Sequence, residues 1–123
     1  MVGCRWAGAK IAPAVALAHS GLEWTGKFAN AGEGGWKALK PSTPWGETPI
    51  LEGVPSVAGG TIGHELTILQ YIAKRAGPAL EGADEKEWLT SMQIMSEAED
   101  IYSKLGKLKV PAPPATQLLV SPI

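Results

Sequence analysis

The side chain in this 123-residue chain that invites a nucleophilic reading is Cys4, the only cysteine. A lone cysteine excludes an internal disulfide and a cysteine-rich metal site. A thiol attacks as thiolate only where its surroundings lower its pKa, and no feature of the sequence around Cys4 marks such a shift. His19 and His64 stand far apart, without the spacing of metal ligands, so no metal is expected. Eleven basic and twelve acidic residues leave a net charge of -1 with no basic stripe to neutralise phosphates, which argues against a nucleic-acid partner. The remaining groups able to do chemistry are scattered: Trp36, Lys40, Thr48, His64 and Glu65. Their use depends on the fold that assembles them.

Hydrophobic residues at 45% and charged residues at 19% suit one globular core and exclude disorder throughout. Residues 8–20, rich in alanine and closed by Gly21, predict a helix with Pro13 in its first turn. Residues 22–28 alternate apolar and polar side chains and predict a strand. A glycine-rich loop, a helical turn at 36–39 and a crossover broken by Pro41, Pro44 and Pro49 lead to a short strand at 48–52. After a loose loop at 53–60, a helix is expected over 63–75, stopped by Gly77-Pro78. Residues 84–104 predict an amphipathic helix capped by Asp84, with acids in its first turn and Trp88, Met92, Met95, Tyr102 and Leu105 at helical spacing. Residues 110–123, with four prolines and Leu118, Leu119, Val120 and Ile123, predict an extended apolar strap. The apolar run 11–18 is too short to span a bilayer, and the start does not read as a signal peptide, so a soluble protein of the cytoplasm or an organelle is expected.

This order gives an α/β or α+β two-layer domain with a helical appendix. Within it, WKALKPSTPWGETPILE (residues 36–52) resembles the stretch of glutathione S-transferases that runs from the second helix to a cis-proline before the third strand. The segments 8–21 and ILQYIA (68–73) are similar to the first and last helices of that family's first domain. The resemblance implies a thioredoxin-like glutathione S-transferase N-terminal domain over residues 1–78, a partial helical C-terminal domain over 79–109, and a proline-rich tail over 110–123. It also implies glutathione as the ligand, with Trp36 and Lys40 at its glycine end. Lysine there supplies a point charge to the terminal carboxylate. Thr48 would pair by its backbone with the cysteinyl unit, which a cis peptide to Pro49 turns outward. His64 and Glu65 fall where the family holds the γ-glutamyl carboxylate at a helix N-terminus.

Three departures qualify that implication. Counting back without gaps from Gly8, the family's catalytic tyrosine falls on Gly3, and Cys4 beside it lies three residues from the place of the family's cysteine branches. Glu65 replaces a neutral hydroxyl and would repel the ligand carboxylate, with His64 able to offset this in part when protonated; Glu47 stands where glutamine is common. Counting also leaves only Met1 and Val2 ahead of the catalytic position, so most of the first strand is expected to have no sequence to form it. The preferred reading is a non-catalytic glutathione S-transferase-like subunit, acting in a homodimer or a larger complex, with peripheral attachment to a membrane assembly left open. Its interaction surface would be Trp88, Met92, Met95, Tyr102 and Leu105 together with Leu118 and Leu119. The alternatives are an active transferase that conjugates glutathione to small electrophiles and, behind it, a thiol reductase working through Cys4.

Overall fold

The computed structural model describes residues 1–7 and 10–108. Leu118, Leu119 and the rest of the proposed strap therefore lie outside the described residues, as do the first two residues of the helix expected from position 8. In chain order the elements are β1 (Val2–Trp6), α1 (Ala12–Ser20), β2 (Trp24–Phe28), α2 (Gly35–Leu39), a 3₁₀ turn (Lys40–Ser42), β3 (Ile50–Glu52), β4 (Thr61–Gly63), α3 (Glu65–Ala76), α4 (Pro78–Glu81) and α5 (Glu85–Gly106).

The four strands form one mixed sheet in the order β2-β1-β3-β4, with β1 parallel to β2 and antiparallel to β3, and β3 antiparallel to β4. The first strand therefore exists, which corrects the expectation that the sequence could not form it. Val2, Cys4 and Trp6 supply the alternation of a half-buried strand, and Cys4 is paired with Gly26 on one side and Leu51 on the other. The miscount came from the connection to α1, which starts at Ala12 and not at Gly8. Gly3 consequently sits in mid-strand beside Thr25 and Glu52, not at a strand end.

Strand pleating divides the sheet's faces. Cys4 and Leu51 point to the side where Leu17 of α1 and Ile68 and Ile72 of α3 complete the core with Val54, each almost fully excluded from water. Trp6 and Trp24 extend that face across Gly26, where an added Cβ would meet both rings at 2.7–2.9 Å, so glycine is needed for them to close over β2. The opposite face carries Arg5, whose Nε donates to Glu52 at 3.0 Å.

The helix ends follow sequence chemistry. Gly21 closes α1 with φ of 71°. Asp84 caps α5 by accepting from Glu87 N–H at 2.9 Å, and Glu87 accepts in turn from Ala83 N–H at 2.7 Å. None of the 22 residues of α5 is buried. Six of its apolar side chains, Trp88, Leu89, Ile94, Ile101, Tyr102 and Leu105, are exposed, and Met92 and Met95 are half-buried.

Candidate functional site

The site lies where the loop before β3, the start of α3, the approach to α1 and the middle of α5 come together. Thr48 and Pro49 are joined by a cis peptide bond, and Pro49 is buried. Next to them a hollow of about 360 Å³ is walled by Lys10, Glu47, Thr48, Pro49, the α3 start from His64 to Thr67, and Glu99 of α5. A second hollow of about 490 Å³ shares Lys10, Glu47 and Thr48 and is completed by Ala7, Asn30, Trp36, Gly46 and Tyr102. The two adjoin at the shared residues Lys10, Glu47 and Thr48, and together they are called the groove below.

His64, which precedes α3, has φ of 65° and ψ of 126°, and it is the one non-glycine residue with positive φ among the described residues. An imidazole-bearing residue in that region costs on the order of 1–3 kcal/mol, and such outliers concentrate at ligand clamps. Its ring lies 5.7 Å from the Trp45 ring, which covers Gly63 closely enough that a Cβ there would approach Trp45 Cδ1 at 3.0 Å. The α3 start is thus held from outside by an exposed indole and from inside by Ile68 and Ile72.

The electrostatics of the first hollow are acidic. Glu65 has its pKa raised, first by burial, then by the charge of Glu99 across the groove and by a hydrogen bond between the two carboxyls; Lys10 works in the opposite direction. Both carboxyls cannot be ionised there without repulsion, and Lys10 offsets only part of it.

The fold brings together five residues singled out from the sequence: Trp36, Thr48, Pro49, His64 and Glu65. Lys40 is not in the groove wall; its Cε lies 3.3 Å from where a Cβ on Gly46 would stand, so its stem flanks the half that contains Trp36. Cys4 is elsewhere. Its thiol is 1% exposed, buried with Leu17, Leu51, Val54, Ile68 and Ile72, and burial followed by the charge of Glu52 pushes its pKa up to about 11. A thiol with that pKa is protonated at neutral pH and has no path to a substrate, which removes the physical basis for a nucleophilic Cys4. Of the side chains assigned to an interaction surface, Trp88, Tyr102 and Leu105 are exposed on α5, and Met92 and Met95 are half-buried. Tyr102 also faces the groove. Lys10, Asn30 and Glu99 went unnoticed in the sequence because each reaches the groove only through tertiary placement.

A β-α-β start in parallel, a β-hairpin continuing the sheet antiparallel, a helix after it and a cis-proline at the groove define a thioredoxin-like domain with a helical extension. Comparison with known proteins shows what the chain is similar to. Over 57 residues the chain is 37% identical to glutathione S-transferase 4 of Caenorhabditis elegans, an alignment covering 46% of this chain and 26% of that protein. A glutathione S-transferase of Anopheles gambiae is 32% identical over 71 residues, covering 58% of this chain and 32% of that protein. In structure, the chain overlays the glutathione S-transferase of Ascaris lumbricoides with a TM-score of 0.69 at 22% identity, over 86% of this chain and 49% of that one. No protein-family model matches. The chain is similar in sequence to part of these glutathione S-transferases and has the fold of a thioredoxin-like N-terminal domain with a helical extension, and the alignments span about a quarter to a third of those curated relatives.

Proposed function

We propose that this protein is a non-catalytic glutathione S-transferase-like subunit. It keeps a groove for glutathione or a related thiol and joins a larger protein assembly through α5. The observation that carries the reading is the state of α5, a helix of 22 residues with none buried, on which Trp88, Leu89, Ile94, Ile101, Tyr102 and Leu105 are all exposed. Apolar side chains in such number on one element are the mark of a surface that another chain covers. The chemistry of β1 supports the same reading. Residues 2–9 contain no hydroxyl, and their one thiol is the buried Cys4, so the strand that leads into the groove carries no tyrosine, serine or accessible cysteine for a thiol.

The test is sedimentation of the purified full chain and of a variant carrying Ile101→Glu and Leu105→Glu. The subunit reading expects self-association or partner binding in the parent that the charges abolish. A parent chain that stays monomeric in solution, and whose partner capture from its own cell extract is unaltered by the charges, refutes it.

A second reading is an active transferase, favoured by the Tyr102 phenol facing the same hollow as Thr48 and Trp36. Turnover of a reduced-thiol substrate with a small electrophile, lost in Tyr102→Phe, would establish it.

A further inference from the structure

Strand β2 ends the sheet, and its outer edge has no strand beside it among the described residues. In a parallel ladder, alternate residues of a strand turn their backbone N–H and C=O toward the neighbouring strand. Val2 N–H donates to Glu23 C=O at 3.1 Å, and Ala29 N–H donates to Trp6 C=O at 2.8 Å. Glu23, Thr25, Lys27 and Ala29 therefore face β1, while Trp24, Gly26 and Phe28 face outward. Of these outward groups only the Phe28 carbonyl has a partner among the described residues, Ala31 N–H at 2.9 Å. Thr25 to Phe28 are all exposed, Phe28 to 60%. An open edge of this kind pairs with another strand unless something blunts it, and β2 carries one charge against that, Lys27.

The order of side chains along β2 is its own complement. With a second β2 lying antiparallel and a two-fold axis at Gly26, the two glycines exchange N–H···O=C bonds with no side chain between them. Each Trp24 then stands opposite Phe28 of the second copy, on the face where the Trp6 and Phe28 rings already lie 5.2 Å apart. Aromatic pairs placed in this way stabilise an antiparallel ladder. On the other face Lys27 is opposite Thr25 and diagonal to Glu23 of the second copy, a spacing that long side chains bridge. Glu23 and Lys27 are both exposed, and neither is ion-paired among the described residues. Moving the axis to Lys27 would set the two lysines face to face, which like charge disfavours.

We propose that the outer edge of β2 is a second interaction surface, at which two copies of this chain pair antiparallel about Gly26 and join their four-stranded sheets into one. This surface is separate from α5 and does not depend on it.

Sedimentation equilibrium of the full chain tests the proposal, with Ile101→Glu and Leu105→Glu in place so that α5 cannot supply the contact. A monomer–dimer equilibrium is expected. Lys27→Glu sets a carboxylate diagonal to Glu23 of the other copy at both ends of the pair, and should weaken the dimer about tenfold. Glu23→Lys should do the same. The two changes together exchange the signs of the pair and should restore the dimer to within about threefold of the starting chain. Residue-resolved amide exchange gives a reading that a loss of folding would not imitate. The Gly26 and Phe28 N–H groups should gain protection as concentration rises, while those of Thr25 and Lys27, already bonded to β1, should not change. A chain that stays monomeric overturns the proposal. A dimer indifferent to both single changes, or one whose loss the double change does not rescue, overturns it equally.

Discussion

Replacing Ile68 by alanine should cost this domain a large part of its stability, and replacing Ile101 should cost it almost nothing. Ile68 is 0% exposed and packs with Leu17, Leu51, Val54 and Ile72, where α3 meets α1 and the sheet. Cutting a buried isoleucine to alanine loses the transfer free energy of the removed carbons and leaves a cavity, about 2–5 kcal/mol in all. Ile68→Val, which removes one methylene, should cost about 0.5–1.5 kcal/mol. A domain of this size has roughly 5–15 kcal/mol to lose, so Ile68→Ala brings it close to the unfolding threshold. Ile101 is 47% exposed on α5 and packs against nothing that would leave a void, so Ile101→Ala should stay within about 0.5 kcal/mol. Urea unfolding followed by circular dichroism gives all three values, with an unchanged slope showing that stability and not the denatured state has moved. A loss at Ile101 comparable to that at Ile68 would refute the description of α5 as unpartnered, and a negligible loss at Ile68 would refute the placement of the core.

Asp84→Ala removes the acceptor for Glu87 N–H and should lower helix content and stability by about 1 kcal/mol, read from thermal unfolding. Cys4 should resist thiol reagents in the folded chain and react on unfolding, and rapid labelling of the native protein would contradict its burial. Because its folded pKa is raised from 9.0 to about 11, stability should fall as pH climbs through that window, by up to about 3 kcal/mol, and Cys4→Ala should flatten the fall. Glu65 behaves alike in sign at lower pH. Its pKa is raised in the folded state, so the stability it permits when protonated is lost as pH rises from about 4.5 through the raised value, and Glu65→Gln should be more stable than the parent at neutral pH and lose that advantage in acid.

Much of the framework was legible because it is written in local chemistry. Gly21 and Gly77 end helices where they are expected to, and Asp84 starts one. These signals act within a few residues and need no partner. The misreadings share a different origin. β1 was overlooked because a helix start was placed at Gly8, and a shift of four residues was enough to turn a complete strand into a missing one. β4 falls between the loop expected at 53–60 and the helix expected from 63, since three residues ending in glycine show no period of their own. α4 is a single turn begun by Pro78, which reads in sequence as a stop. Tyr102 was assigned to the outer face of α5 on helical spacing alone, and spacing cannot show that one edge of that face also borders a groove.

That double position of α5 would tie the groove to a chain docked on the helix. Glu99 and Tyr102 close the groove from α5, while Trp88, Leu89, Ile94, Ile101 and Leu105 stand on the same helix and face solvent. No buried side chain fixes α5 in place, so little resists a small rotation or shift of it. A chain docking on the apolar side would move or hold Glu99 and Tyr102, and with them the charge and shape that a ligand meets. Thermodynamic linkage then requires the converse. A ligand that prefers one placement of Glu99 must change the affinity of α5 for its partner by the same factor. Catalysis needs a group fixed against the thiol, and α5 has no fully buried side chain to fix one. Binding coupled to assembly needs only an element able to shift, and for that the same looseness is an asset.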